Sequence, residues 1–178
     1  ALQVVAAFEK PCAAVIKHMN PCGVACAKTL TQAFRSAFAC DPPSAFGGIV
    51  GLNRPVDGPA AKAIASAGFL ECLIAPGFSA DALETLKVKK NLRILEMPPF
   101  RPGSFRRCLE IKQIDGGLLV QSPDELKTSP SRWRTATRVK PTPSQRRDLL
   151  FAWKVAKFVR SNAIVIAKGG KTVGIGAG

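Results

Sequence analysis

Histidine and acidic residues are scarce in this 178-residue sequence. His18 is the only histidine, and 12 Asp and Glu stand against 26 Lys and Arg, which gives a net charge of +14. No uninterrupted apolar stretch approaches the roughly 20 residues that a membrane-spanning helix needs, so we expect no membrane-spanning segment. The hydrophobic residues make up 47% of the chain, a proportion typical of a globular domain with its own buried core.

Six cysteines allow a disulfide or zinc interpretation, but their pattern favours neither. Most lie in apolar strand or helix patterns, where a free thiol behaves as a small hydrophobic group. The segment 21–26 has one residue too many between its cysteines for the Pro-Cys-x-x-Cys signature of zinc deaminases, and no His-x-Glu precedes it. We therefore expect reduced thiols, a cytosolic setting and no metal.

The excess of positive charge is concentrated between Lys127 and Arg147, a range that contains seven basic residues and no acidic one. Such a run can bind nucleic acid through phosphates. Trp133 is the only aromatic residue among these charges, however, and no recognised nucleic-acid motif accompanies them. We favour a solvated loop or a surface for small anionic ligands. A basic nucleic-acid-binding module is the alternative.

The lone histidine follows a lysine at the end of the apolar run 13–16. The run predicts a buried strand that closes at His18, and the Asn-Pro-Cys-Gly segment 20–23 predicts a tight turn. An imidazole changes charge near neutral pH, and beside a fixed cation it suits proton transfer next to a developing anion. On these two residues alone, a chance Lys-His pair at a strand end is the alternative.

Strands and helices alternate along the chain, which predicts an α/β sheet covered by helices on its faces. Lys168 to Lys171 is a strong hairpin signal between the last two strands. The segment 122–143 is rich in Pro, Ser, Thr and basic residues, so we expect it to be irregular. The patterns predict helices at 28–40, 57–66, 79–88 and 144–160, and strands at 15–18, 48–52, 72–75, 92–96, 108–114, 118–121, 163–167 and 172–175.

Three segments, in this order and spacing, resemble one enzyme family. They are 17–23, 41–54 and 158–178, and they contain the motifs Lys-His-Met-Asn-Pro-Cys-Gly, Ser-Ala-Phe-Gly-Gly and Arg-Ser-Asn-Ala-Ile-Val. Together they resemble aminoimidazole carboxamide ribonucleotide (AICAR) transformylase, the larger, C-terminal part of bifunctional purine-synthesis proteins that also carry IMP cyclohydrolase. Further resemblance at 75–77, 89–93 and 116–121 extends it over nearly the whole chain.

The resemblance implies a cytidine-deaminase-like three-layer α/β fold, of which this chain supplies about one subdomain. Residues 1–178 would be the N-terminal portion of an incomplete transformylase domain, with the cyclohydrolase domain absent. The implied reaction is formyl transfer from 10-formyltetrahydrofolate to the amino group of AICAR, in a homodimer that takes reduced folate as cosubstrate. A non-catalytic α/β fragment is the alternative.

The resemblance also implies three catalytic residues. By match to the family's motif, His18 transfers the proton, and Lys17 stabilises the anionic intermediate or tunes the imidazole. Asn162 would hydrogen-bond the nucleotide and the reacting centre. Without the resemblance, a helix C-terminal cap is the favoured role for Asn162.

Eight further residues are expected to contact substrate or to shape its site. Asn20 and Gly23 are expected to shape the turn beneath the nucleotide. Gly47 and Gly48 let the backbone approach a ligand closely, and Phe46 lies either beside the ligand or in the core. The remaining three are Asn53 and Arg54, candidates for anion binding or structural contacts, and Glu71, which the resemblance places near the folate.

Overall fold

A seven-stranded mixed sheet is the centre of the computed structural model, which describes residues 1–99, 109–124 and 129–178. The strand order is β5-β4-β3-β1-β2-β9-β8, and β6 and β7 form a separate two-stranded ribbon. The strands are β1 (Cys12–Lys17), β2 (Asn20–Cys26), β3 (Gly48–Leu52), β4 (Leu70–Ala75), β5 (Arg93–Glu96), β6 (Glu110–Ile114), β7 (Gly117–Gln121), β8 (Ala163–Lys168) and β9 (Lys171–Ala177).

Helices cover both faces of this sheet. Along β1, Ala13 and Val15 enter one hydrophobic core, whereas Cys12, Ala14 and Ile16 enter the other, as the two-residue period of a strand dictates. The first core packs against α2, α4 and α5, and the second against α1 and α6, so the predicted three-layer α/β architecture is confirmed. The helices are α1 (Leu2–Val5), α2 (Leu30–Phe38), α3 (Pro42–Ala45), α4 (Gly58–Ser66), α5 (Ala80–Leu86) and α6 (Pro143–Ala156).

Side-chain caps set the helix starts. Thr29 caps α2 and Asp57 caps α4 by accepting hydrogen bonds from the backbone N–H three residues ahead. The expected start of α6 at Ser144 is wrong, because Thr142 caps it and forms a reciprocal capping box with Gln145. Pro143 then occupies the first turn, where its fixed φ and missing N–H cost nothing. Within the described residues, no helix combines the length and apolar character that crossing a membrane requires.

Strand directions change at β3. Strands β3, β4 and β5 run parallel, whereas β3–β1, β1–β2, β2–β9 and β9–β8 are antiparallel pairs. The predicted hairpin between β8 and β9 is confirmed, and its loop residues Gly169 and Gly170 have φ of 63° and 73°. Two consecutive positive φ values define the glycine-favouring hairpin turn. The described part of 122–143 is irregular as expected, apart from a 3-10 turn at Pro130–Arg132.

One local prediction needs correction. The Asn-Pro-Cys-Gly segment is not a turn, because Asn20 already begins β2 and Lys17 pairs with Asn20 across a two-residue loop. Ile16 pairs with Pro21 and Val15 with Gly23, so a bulge leaves one extra residue between them on β2. Bulges are where a strand accommodates proline, which has no N–H to donate. In addition, 42–45 forms the short helix α3, and the start of the expected strand 108–114 lies outside the described residues.

Candidate active site

Lys17 is the last residue of β1, and His18 begins the two-residue loop to β2, at one edge of the sheet. The strand that was expected to close at His18 therefore ends one residue earlier. His18 has φ of 54°, a left-handed conformation that the two-residue loop imposes. The His18 side chain is exposed and Lys17 is half-buried. The imidazole is therefore accessible to a ligand that approaches this edge.

A backbone carbonyl just before the neighbouring strand β3 accepts a hydrogen bond from the lysine. The Lys17 ammonium donates a hydrogen bond to the Gly47 carbonyl at 3.2 Å. Gly47 has φ of 65°, and a Cβ there would lie 2.8 Å from the Lys17 nitrogen, so glycine is required for this contact. At Gly48 a Cβ would lie 2.9 Å from the Ala45 carbonyl, which shows that this glycine serves close packing.

An aromatic side chain lies next to this lysine contact. Phe46 was expected either beside the ligand or in the core, and an exposed fraction of 63% excludes the core. Its ring centroid lies 5.5 Å from that of Phe69, and the Phe69 carbonyl accepts a hydrogen bond from the Gly47 N–H at 2.8 Å. The Phe46–Phe69 pair therefore flanks the lysine with an apolar surface.

Asn20 connects the hairpin end to the segment that carries Asn162. The Asn20 side-chain oxygen accepts a hydrogen bond from the Arg160 backbone N–H at 2.8 Å. Asn162 exchanges two backbone hydrogen bonds of 3.2 Å with Gly178, which keeps it in register with the end of β9. These contacts bring Arg160 and Asn162 to the same edge as Lys17 and His18.

The helix-cap alternative for Asn162 is wrong. Helix α6 ends at Ala156 and its C-cap is Lys157, so Asn162 lies beyond the helix. The Asn162 residue is exposed, and its side-chain oxygen accepts a hydrogen bond from the Ser161 hydroxyl at 3.0 Å.

Gly23 does not shape a turn. It lies buried in β2, where an added Cβ would be 1.9 Å from the Ala37 carbonyl oxygen of α2 and 2.8 Å from the Cβ of Cys40. The residue is therefore glycine because the helix backbone crosses directly over it. Asn20, by contrast, connects the start of β2 to the Arg160 backbone and does not form a turn.

Asn53 and Arg54 lie at the opposite end of the sheet from His18, because Leu52 pairs with Ala13 near the start of β1. The Asn53 side chain is 5% exposed, and its hydrogen-bond partners within the described residues are all backbone groups of the segment 5–12. Arg54 donates to the backbone carbonyls of Asn53 and of Glu9. Of the two roles considered for this pair, the structure supports structural contacts.

Glu71 lies on β4 and forms an ion pair with Arg93 at 2.7 Å. It is close in sequence to Phe69, and Leu70 pairs with Gly48, so Glu71 belongs to the same half of the sheet as the lysine contact. Both members of the ion pair are well exposed, and such pairs contribute little stability. The ion pair therefore does not by itself account for a carboxylate at this position.

Cys22 lies beneath this edge but is not a candidate nucleophile. Its thiol donates to the Ser44 carbonyl at 3.4 Å, and burial raises the pKa of the thiol. A protonated thiol is a weak nucleophile. Among the described residues, no cluster of three or more histidine, cysteine or acidic side chains is arranged to hold a metal ion.

A groove of about 1010 Å³ lies elsewhere, between the basic segment, α6 and the β8–β9 hairpin. Trp133, Leu149 and Val173 supply apolar lining, and Arg134 and Lys140 supply charge. None of the predicted site residues lines it. Part of the basic segment therefore borders a groove and is not simply a solvated loop.

Sequence reasoning missed two residues of the site. Arg160 enters through its backbone N–H, and Phe69 enters through a carbonyl that reaches Gly47 from another strand. Arg160 is two positions before Asn162 and belongs to the same Arg-Ser-Asn-Ala-Ile-Val motif, so the motif could have indicated it. Phe69 gave no local signal, because its role depends on the pairing of β3 with β4.

The chain is a three-layer α/β protein. At one edge of its sheet, Lys17 at the end of β1 and the exposed His18 lie close to Asn162, the residue before β8. Residues 1–178 match the family model described as AICARFT/IMPCHase bienzyme, and the chain belongs to that family. The resemblance drawn from the sequence motifs is therefore confirmed.

Known relatives agree with this assignment. The chain is 51% identical over 176 residues to the bifunctional purine biosynthesis protein PurH of Cyanothece sp., covering 98% of this chain and 34% of that protein. It is 47% identical over 178 residues to PurH of Neisseria gonorrhoeae, covering 100% of this chain and 33% of that protein. The chain thus spans about a third of the length of these relatives.

Among solved structures, the apo dCMP deaminase of cyanophage S-TIM5 matches with a TM-score of 0.40 and 16% identity. The match covers 49% of this chain and 79% of the deaminase. A likeness of this size is too weak to inform either the fold or the function.

Proposed function

We propose that the protein containing this chain transfers a formyl group from 10-formyltetrahydrofolate to the amino group of AICAR, in purine biosynthesis. The complete protein would also act as an IMP cyclohydrolase, and residues 1–178 would be the N-terminal portion of its transformylase domain. The observation that carries the proposal is the convergence of Lys17, His18 and the Asn162 segment at one exposed edge, in a chain of this family.

The chemistry requires proton removal from a weak nucleophile. The amine of AICAR is poorly basic because the ring and the carboxamide draw on its lone pair. As its nitrogen attacks the formyl carbon, His18 takes the proton and returns one to the leaving folate nitrogen. The exposed position of the imidazole is compatible with direct contact with both substrates.

Lys17 would stabilise the negative charge that develops on the formyl oxygen. An ammonium group has three donor hydrogens, and the Gly47 carbonyl takes one of them. Two donors remain for an oxyanion, and the Gly47 contact fixes the direction in which they point. A donor that is already held in place loses little freedom when the transition state forms, which is the basis of electrostatic stabilisation.

Asn162 and Phe46 would position the substrates. The amide of Asn162 offers both a donor and an acceptor to the nucleotide and to the reacting centre. The exposed ring of Phe46, supported by Phe69, offers an aromatic surface on which a flat heterocycle can stack. Glu71, in the same half of the sheet, is a candidate for contact with the folate.

The net charge of +14 supports anionic substrates, since a positive surface raises their association rate. We further propose that the complete enzyme is a cytosolic homodimer with reduced folate as cosubstrate and no metal cofactor. Residues from other parts of the protein would complete the site.

The experiment is a product assay with the complete protein, AICAR and 10-formyltetrahydrofolate. Formylated AICAR and tetrahydrofolate should appear in equal amounts, and omission of AICAR should stop folate release. Lys17→Met should slow the reaction strongly, whereas Met19→Ala, in the same loop, should not. Absence of formylated AICAR, or folate hydrolysis that does not depend on AICAR, would reject the proposed function.

A further inference from the structure

Two cysteines that the proposed reaction does not use face each other across the β1–β2 hairpin. The Cα atoms of Cys12 and Cys26 are direct partners in the antiparallel register, at the end of the hairpin opposite His18. Cys12 is fully buried, Cys26 is half-buried, and both pack on the same hydrophobic core. Residues that are paired across two strands project from the same face, so the two thiols are neighbours.

The backbone hydrogen bonds show that Cys12 and Cys26 are a non-hydrogen-bonded pair of the antiparallel ladder. The Cys12 N–H donates to the Asn53 side chain at 2.7 Å, and the Cys26 N–H donates to the Gly170 carbonyl at 2.9 Å. The two cysteines therefore do not bond each other through the backbone, and the flanking Ala27–Pro11 bond of 3.0 Å closes the ladder beside them. Such pairs bring Cα atoms to about 4.5 Å, at the short end of the range for disulfides of about 4.4–6.8 Å.

We propose that Cys12 and Cys26 are a redox-modifiable pair that forms a cross-strand disulfide when the protein meets a small disulfide oxidant such as oxidised glutathione. The half-buried Cys26 reacts first: its thiolate attacks one sulfur of the oxidant, and a thiolate leaves. The Cys12 thiol then loses its proton and attacks the Cys26 sulfur, which releases the second thiolate. In balance, two protein thiols are oxidised to one disulfide, and one oxidant disulfide is reduced to two thiols.

Neither Cys22 nor Cys72 has this arrangement. The Cys22 thiol is directed at the Ser44 carbonyl, and Cys72 lies on β4 in a parallel pairing with Arg93. Burial raises the pKa of the Cys12 thiol, which favours the half-buried Cys26 as the first thiol to react.

The disulfide would fix the hairpin that carries Lys17 and His18. It closes a loop of about 15 residues. A disulfide that closes such a loop should raise the melting temperature of a domain of 150–250 residues by about 5–10 °C. Dithiothreitol should reverse the shift. The inference rests on the register of two strands and not on the proposed formyl transfer, so either can fail without the other.

The test is oxidation of the native protein by oxidised glutathione, followed by alkylation, digestion and mass spectrometry. We expect a peptide linked through Cys12 and Cys26 and a rise in melting temperature that dithiothreitol abolishes. In Cys12→Ala the reaction should stop at a glutathione adduct on Cys26, whereas Cys22→Ala should behave as the unsubstituted protein. Linkage that requires urea, linkage through other cysteines, or no linkage at all would overturn the proposal.

Discussion

Asn53 offers the sharpest test of the fold, because its one buried side chain forms hydrogen bonds with several backbone groups of the segment 5–12. Its oxygen accepts from the Cys12 N–H at 2.7 Å. Its amide nitrogen donates to the carbonyls of Phe8 and Lys10 at 2.9 Å and to that of Val5 at 3.4 Å. The side chain thus ties the segment after α1 to the start of β1 and the end of β3.

The cost of Asn53→Ala follows from these contacts. Three good hydrogen bonds and one long bond disappear, and each good bond contributes about 1 kcal/mol net. The buried Cys12 N–H also loses its partner, which adds about 1–2 kcal/mol. We therefore expect a loss of about 4–5 kcal/mol in the free energy of unfolding. Asn53→Asp keeps the size but replaces the donor with an oxygen that faces carbonyls, so it should cost at least as much.

Urea unfolding, followed by circular dichroism, measures this loss. The matched control is Asn91→Ala, because Asn91 is exposed in a turn and its replacement should change stability by less than about 0.5 kcal/mol. If Asn53→Ala costs less than about 1 kcal/mol, the backbone contacts do not stabilise the fold as argued. An effect on substrate affinity with unchanged stability would instead support anion binding by Asn53.

Three further predictions address packing, completeness and the basic segment. Gly23→Ala should destabilise the protein by about 1–3 kcal/mol, because its Cβ would lie 1.9 Å from the Ala37 carbonyl, whereas Gly174→Ala, with open space, should be near neutral in the same urea assay. The isolated 178 residues should catalyse formyl transfer at less than about a hundredth of the complete protein's rate, because a substrate misplaced by about 1 Å can react about a hundredfold more slowly. Comparable rates in a formyl-transfer assay of both proteins would show that this part of the protein suffices. Gel-shift titration at physiological salt should give only weak, salt-sensitive nucleic-acid binding, and sequence-selective binding tighter than about micromolar would favour a nucleic-acid role for the segment.

Local chemistry made part of the fold predictable. The strand 48–52 was placed at its observed bounds, because a short apolar run lies between a Pro-Pro stop and a polar turn. Gly169 and Gly170 predicted the hairpin because two positive φ values require such residues. The Lys-His motif predicts a candidate site at a strand end, and the structure places His18, exposed, in the loop after β1.

The remaining errors come from contacts between distant parts of the chain. The Asn-Pro-Cys-Gly segment has turn composition, yet pairing with β1 and a bulge keep it in a strand. Glycine is needed at position 23 because helix α2 crosses over it, and Asn53 bonds a segment more than 40 residues away in the sequence. No local pattern encodes such partners, so sequence reasoning could name these residues without assigning their roles.

The central claim is that His18 transfers the proton, and single-turnover formyl transfer by His18→Asn in the complete protein tests it most directly. Asparagine tolerates the left-handed φ of 54° at this loop position, so the variant removes the imidazole with little backbone strain. We expect the rate to fall by about two to four orders of magnitude, with the melting temperature unchanged. A rate within a few-fold of the unsubstituted protein, in a variant that folds normally, would contradict the account.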